Sequence, residues 1–205
     1  MLYQHLSSGI KFDWNFDDLE GKLGPDKYMG ENIPSDMYDD ISCSYFHTFY
    51  SKVGTSTNFS LFFIPESQHI VDKLKELQDK VREDVSKGLV ERTELVDLFL
   101  EKNILLKDVL FLRMDAGVGA TPHVDRRRSK ALNIGFQNTC TCTTYFKEGK
   151  DFSDFYGDVS KLKAITMNDG DAYLVDVSQA HAVKANFPEL AGTQRYIISL
   201  NLSKS

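Results

Sequence analysis

Thr121-Pro122-His123-Val124-Asp125 is the stretch on which the prediction of the fold and of the site depends. In an extended segment, residues two apart point to the same face and lie about 6.5–7 Å apart. The imidazole of His123 and the carboxylate of Asp125 can therefore converge on one ion. His181, farther along the chain, can supply a third ligand from another strand. Two imidazoles and one carboxylate on one side of a metal leave positions open for other ligands, so we predict a metal site at these three residues.

Outward from this stretch, the chain from residue 107 onward alternates between short β-rich runs and turns. Eight runs of similar spacing favour a jelly-roll-like closed sandwich over alternating strands and helices. The predicted strands are 108–114, 121–125, 131–137, 140–146, 162–167, 171–176, 181–185 and 195–202.

The preceding region has the pattern of two amphipathic helices. From Ile70 to Val85, apolar residues recur at steps of three or four and charged residues fill the other face. Gly88 ends this helix, and a second apolar pattern follows from Thr93 to Leu100. We expect both helices to cover one face of a sheet.

The first 44 residues are rich in Asp, Gly and Pro and predict irregular structure, with Trp14 and its aromatic neighbours as packing anchors. Two strand-like runs at 44–50 and 57–64 flank a turn at Gly54 and should add strands to the main sheet.

Length and charge limit the classes of function. A chain of 205 residues fits one domain, in which 1–106 would form N-terminal strands and support helices and 107–205 the core with the metal site. A net charge of −6 argues against a nucleic-acid or anionic-membrane binder, and three cysteines without a CxxC argue against disulfides or a zinc-thiolate site. Without a long apolar run or a signal-peptide pattern, we expect a soluble cytoplasmic protein.

The order His-x-Asp, a distant His and then Arg195 resembles the iron(II)/2-oxoglutarate-dependent dioxygenase superfamily, near its small prolyl and aspartyl hydroxylase-like members. The resemblance implies a mainly β fold with some α, a double-stranded β-helix (a jelly-roll or cupin-like barrel) buttressed by N-terminal helices. It also implies that Arg195 holds the distal carboxylate of 2-oxoglutarate. Ile197 stands where the family commonly has Ser, and the interval from His181 to Arg195 is longer than usual. Ser199 is therefore predicted as the second ligand of that carboxylate.

Two further residues are candidates for the cofactor pocket. Asn133 shares a strand face with Ala131 and Gly135, whose small side chains would leave room for a ligand, although a buried structural amide fits the pattern equally. By the resemblance, Tyr145 could donate its hydroxyl to a carboxylate, or it could be an ordinary core tyrosine.

A cationic cluster directly follows Asp125, with Arg126 and Arg128 as candidate substrate-binding residues. Such a cluster on an acidic protein could steer an anionic substrate toward the metal. One arginine could instead turn inward as a partner of a metal ligand, or the segment could be a solvated loop.

The function implied by the resemblance is hydroxylation of a C–H bond, with Fe(II) as metal, dioxygen and 2-oxoglutarate as co-substrates, and succinate and CO₂ as products. We predict a peptidyl Pro, Asp or Asn as the substrate residue. The alternatives are hydroxylation of a free amino acid or small metabolite, a cupin-like metal or ligand-binding module without turnover, and a structural β-sandwich.

Overall fold

The computed structural model describes residues 1–12, 60–62, 68–105, 108–115, 119–125, 128–187, 189 and 194–203. The predicted strand at 44–50, Trp14 and Arg126 lie outside these residues. The helices are α1 (Gln68–Ser86) and α2 (Glu94–Glu101). The strands are β1 (Tyr3–Ser7), β2 (Ser60–Phe62), β3 (Val109–Asp115), β4 (Ala120–His123), β5 (Lys130–Gln137), β6 (Cys142–Lys147), β7 (Lys163–Thr166), β8 (Ala172–Asp176), β9 (Ala180–Ala185) and β10 (Gln194–Asn201).

The strands form two antiparallel sheets. The larger has the order β1-β8-β5-β10-β3-β2 and the smaller has the order β4-β9-β6-β7. Each of the eight strands predicted from residue 108 onward is confirmed, with bounds that differ by no more than two residues. The mainly β class is therefore correct. From β3 to β10 the chain passes repeatedly between the two sheets, which places residues distant in sequence on facing surfaces.

Both predicted helices are confirmed, and they pack on the larger sheet. Thr93 caps α2 by accepting a hydrogen bond from the Val96 N–H at 3.3 Å, and Gly88 adopts a φ of +72° after α1. Neither described helix combines the length and apolarity that a membrane span requires. The shared core buries Ile70, Leu74, Leu77, Val81, Leu95, Val96 and Phe99 of the helices against Leu132, Ile134, Leu174, Tyr196, Ile198 and Leu200 of the sheet.

A second cluster fills the space between the sheets. Its members come from β5 and β8 on one side and from β6 and β7 on the other, and they include Ala131, Phe146, Ile165 and Val175. Because Tyr196, Ile198 and Leu200 face the helices, the alternation of side chains turns Arg195, Ile197 and Ser199 toward the smaller sheet.

Two N-terminal features complete the larger sheet. β1 was not predicted, and it pairs with β8 through contacts such as Tyr3 opposite Val175. β2 pairs with β3 and confirms the middle of the strand predicted at 57–64.

Candidate metal centre

The three predicted ligands lie together at one edge of the smaller sheet. His123 on β4 is directly opposite His181 on β9, and their ring centroids are 4.2 Å apart. The pairing shifts register between Ala120 and His123, an irregularity of the kind that re-aims a side chain. Asp125 follows β4 and donates its backbone N–H to the carbonyl of Val177 at 2.9 Å. That bond holds the carboxylate beside the two imidazoles.

The distances between ligand atoms suit one small cation. Oδ1 of Asp125 is 3.8 Å from Nε2 of His123 and 3.9 Å from Nε2 of His181. The ligand atoms of the three residues lie within 4.8 Å of one another. Three ligand atoms on one face of a six-coordinate ion, each about 2.1 Å from it, would be about 3.0 Å apart. Small side-chain shifts of about 1 Å would therefore bring the carboxylate and the imidazoles to this geometry.

Backbone hydrogen bonds fix the tautomer of both imidazoles. Nδ1 of His123 lies 2.7 Å from the carbonyl of Thr121, and Nδ1 of His181 lies 2.9 Å from the carbonyl of Gln179. A carbonyl only accepts, so each Nδ1–H donates and each Nε2 keeps its lone pair. This second hydrogen bond is the usual way in which a protein orients a metal-binding histidine.

Electrostatics at His181 favour the neutral ligand form. Burial, followed by the neighbouring His123, lowers the pKa of His181 to about 4, while Asp125 acts in the opposite direction. The imidazole is therefore neutral around pH 7 and can donate its lone pair to a cation.

Arg128 turns inward against the Asp125 carboxylate. Its Nε and Nη2 donate to Oδ2 of Asp125 at 3.0 and 2.9 Å, and its Nη1 donates to Oγ of Ser199 at 2.7 Å. The Ser199 hydroxyl in turn donates to Oδ1 of Asn133 at 2.6 Å. All of these bonds lie within or at the edge of the protein interior, since Arg128 is 8% exposed and Ser199 is fully buried.

Arg195 is a second buried guanidinium, with different surroundings. It is 5% exposed, its Nε has no hydrogen-bond partner, and it forms no ion pair with a carboxylate among the described residues. Burial lowers the pKa of Arg195, opposed by the Cys142 thiol and by Asp169. Burial disfavours the charged form of Cys142 as well and therefore raises the pKa of its thiol, an effect that Arg195 opposes. A buried cation without a carboxylate partner is suited to binding an anion.

Three other candidate residues, Asn133, Ser199 and Arg128, are hydrogen-bonded to protein groups. The residues predicted to bind the cofactor, Asn133 and Ser199, are near the metal centre but are hydrogen-bonded to each other and, through Ser199, to Arg128. Arg128 follows the alternative in which one arginine of the cationic cluster turns inward, because it is engaged with Asp125. The space beside Gly135 is not free for a ligand, because an added Cβ would lie 2.4 Å from the backbone oxygen of Asn168.

The structure does not bring Tyr145 to the centre. Its strand neighbour Phe146 stacks on His181 with ring centroids 5.9 Å apart, so Tyr145 points to the other face of β6. There it packs against an apolar cluster that contains Phe155 and Ala182.

Neither a family model nor a curated protein sequence matches the chain. Solved structures with some likeness include a Pseudomonas putida prolyl-4-hydroxylase, with 16% identity over 71% of each chain and a TM-score of 0.39. A Lactobacillus farciminis oxalate decarboxylase formate complex aligns with 8% identity over 45% of this chain, a TM-score of 0.31 and only 23% of its own length covered. Drosophila melanogaster CENP-C bound to CAL1 aligns with 9% identity over 66% of this chain and 98% of that chain, with a TM-score of 0.32. These scores are too low to carry a functional argument, which therefore depends on the geometry of the site.

Proposed function

We propose that this protein is a non-haem Fe(II)- and 2-oxoglutarate-dependent dioxygenase that hydroxylates a C–H bond. The observation that carries the proposal is the convergence of His123, Asp125 and His181. Two imidazole nitrogens and one carboxylate oxygen form the donor set that leaves a face of ferrous iron open. With iron bound, dioxygen would be the oxidant: one of its oxygen atoms would go to 2-oxoglutarate, giving succinate and CO₂, and the other to the substrate C–H bond.

The remaining residues are assigned by their environment. Arg195 is buried and has no carboxylate partner among the residues that the structure describes, so it would bind the distal carboxylate of 2-oxoglutarate through a bidentate, charge-assisted pair. Ile197 faces the same way as Arg195 and is 6% exposed, so it would pack against the methylene groups of the co-substrate. Neither Asn133 nor Tyr145 is included among the co-substrate ligands.

The strand order supports the double-stranded β-helix expected for such an enzyme. β3, β5, β8 and β10 belong to one sheet and β4, β6, β7 and β9 to the other, and every neighbouring pair is antiparallel. Two facing sheets with this alternation enclose a space whose rim is formed by strand ends, where the metal ligands lie.

Turnover of 2-oxoglutarate tests the proposal. We expect the protein, supplied with Fe(II), ascorbate and 2-oxoglutarate, to form succinate, and we expect His123→Ala and Asp125→Ala each to lower the rate at least about 100-fold because a ligand is lost. His5→Ala is the matched control, since His5 is exposed and lies outside the triad. Equal succinate formation by the triad variants would refute the assignment.

A screen of peptides and amino acids then addresses the substrate, for which we propose a peptidyl Pro, Asp or Asn. Added substrate should increase succinate formation and gain 16 mass units. Tight metal binding with no 2-oxoglutarate consumption under any condition would identify a metal-binding module without turnover.

A further inference from the structure

We propose that Arg128 is a positioning residue for the metal centre, which fixes the Asp125 carboxylate so that Oδ1 faces the cation and Oδ2 is held away from it. The inference rests on the metal site of the proposed function and extends it to a residue outside the triad. It assigns a role to a guanidinium that the sequence had suggested for substrate binding.

The hydrogen bonds from the guanidinium to the carboxylate are asymmetric. Nε and Nη2 of Arg128 both donate to Oδ2 of Asp125, at 3.0 and 2.9 Å. An arginine that only neutralised a carboxylate would commonly place one N–H on each oxygen. Here the other oxygen, Oδ1, is the atom that lies 3.8 and 3.9 Å from the two Nε2 atoms. The pair therefore distinguishes the two oxygens of Asp125 before any cation is bound.

The third donor of the guanidinium anchors this arrangement to the opposite sheet. Nη1 of Arg128 donates to Oγ of Ser199 on β10, and that hydroxyl donates to Oδ1 of Asn133 on β5. Asp125 follows β4 of the smaller sheet, so the network links the metal-ligand carboxylate to the larger sheet. Each group in the relay has a partner, as a buried polar network requires.

This arrangement has two chemical consequences. A carboxylate that coordinates through one oxygen occupies one position on the metal, which keeps the others open for the co-substrate and dioxygen. The +1 charge of Arg128 also offsets the −1 charge of Asp125, so a divalent ion keeps its charge to attract a dianionic co-substrate. Removal of a residue that is hydrogen-bonded to a metal ligand typically changes the metal affinity 10- to 100-fold.

Metal binding by the full chain tests the proposal without any turnover. We would titrate Co²⁺ alone into the metal-free protein, measuring the dissociation constant by calorimetry and the geometry from the visible absorption of bound Co²⁺. Arg128→Met should raise the dissociation constant about 10- to 100-fold and alter the absorption bands. Arg128→Lys should recover part of the affinity, because an ammonium can still donate a hydrogen bond to the carboxylate, but not the spectrum, because it lacks the planar fork that donates twice to one oxygen.

Two further variants separate positioning from a general effect on folding. Lys130→Met is the matched control, because Lys130 is a nearby cation whose Nζ binds Asp176 rather than a triad residue. It should leave both readouts unchanged. Ser199→Ala removes the anchor and should weaken Co²⁺ binding a few-fold with a smaller spectral change, which keeps the proposal testable if Arg128→Met does not fold.

The outcomes distinguish this proposal from the proposed function. Arg128→Lys and Ser199→Ala proteins that fold and bind Co²⁺ with the original affinity and spectrum would overturn the role of Arg128, whatever the activity. Altered binding in these variants, combined with an unaltered chain that never consumes 2-oxoglutarate, would support the positioning role and refute the dioxygenase. A failure of the unaltered chain to bind Co²⁺ would overturn both.

Discussion

Arg195 is the single residue whose burial is hardest to explain by folding alone. A charged group that leaves water without a counter-charge costs free energy, yet this guanidinium is 5% exposed and pairs with no carboxylate among the described residues. An anionic co-substrate would supply the missing partner. Burial of Arg195 would then lower the free energy of unfolding of the free protein, and binding of the co-substrate would offset this loss. Functional sites commonly reduce stability in this way.

Arg195→Met should therefore separate binding from stability. We expect the dissociation constant of 2-oxoglutarate for the Mn²⁺-loaded protein to rise at least about tenfold, since hydrogen bonds to charged groups contribute about 1.5–3 kcal/mol each. The free energy of unfolding of the metal-free protein should stay equal or increase. Calorimetry and urea denaturation measure the two quantities. Lys163→Met, which removes an exposed cation from β7, is the control, and an unchanged dissociation constant in Arg195→Met would contradict the assigned role.

Single residues also show where sequence reasoning stops. The two-residue spacing of His123 and Asp125 is enough to predict their convergence, because it follows from strand geometry. The alternation of Tyr145 and Phe146 is equally visible, but which of them faces the metal depends on what covers the other side of β6. That cover includes Phe155 in a 3₁₀ turn, which no local pattern connects to Tyr145.

Among the elements, the β4 and β9 pair determines the geometry of the centre. Both strands were predicted as short segments that follow turn residues, Gly117 and Gly119 before β4 and Ser178 before β9. Their pairing, with His123 opposite His181, was not, because register depends on the whole sheet. β1 was missed for a related reason. Its five residues have no clear alternation, and it is a strand because β8 offers a free edge to pair with.

Gly119 lies directly before β4, and it permits a close approach of the two strands. A Cβ at this position would lie 2.3 Å from the backbone oxygen of Val183 on β9, so Gly119→Ala must push the strands apart. We expect the separation of His123 and His181 to increase and Co²⁺ affinity to fall at least about tenfold, with a loss of about 1–3 kcal/mol in the free energy of unfolding.

The control for that prediction is Gly88→Ala, at the end of α1. Gly88 has a φ of +72° and nothing within 4 Å of an added Cβ, so alanine there costs about 1 kcal/mol through backbone strain alone. Its Co²⁺ affinity should match that of the unaltered protein. Equal losses of affinity in the two variants would show that Gly119 acts through global stability instead of strand spacing.

At the scale of the whole molecule, the centre joins the two sheets. The ligands belong to the smaller sheet or follow it, whereas Ser199 and Asn133 that anchor Arg128 belong to the larger one. The helices and the mainly β class could be predicted because apolar residues recur at the helical period of 3.6 residues or the strand period of two. The hydrogen bonds that link the two sheets could not be predicted, because Arg128 and Ser199 are far apart in sequence and neither residue type indicates which side chain it will contact.

Ligand binding should therefore stabilise the whole fold, in a defined order. At about 100 times its dissociation constant, Mn²⁺ should contribute about 2.7 kcal/mol, which for a chain of this length corresponds to a rise of roughly 5–10 °C in the melting temperature. 2-Oxoglutarate should raise the melting temperature further only when Mn²⁺ is present, because one end of 2-oxoglutarate would bind to the metal. His181→Ala should lose both shifts, whereas Arg195→Met should keep the first and lose most of the second. Differential scanning calorimetry at fixed protein concentration measures the melting temperature of each protein alone and with each combination of Mn²⁺ and 2-oxoglutarate. A 2-oxoglutarate shift of equal size with and without Mn²⁺ would show that the co-substrate binds away from His123, Asp125 and His181.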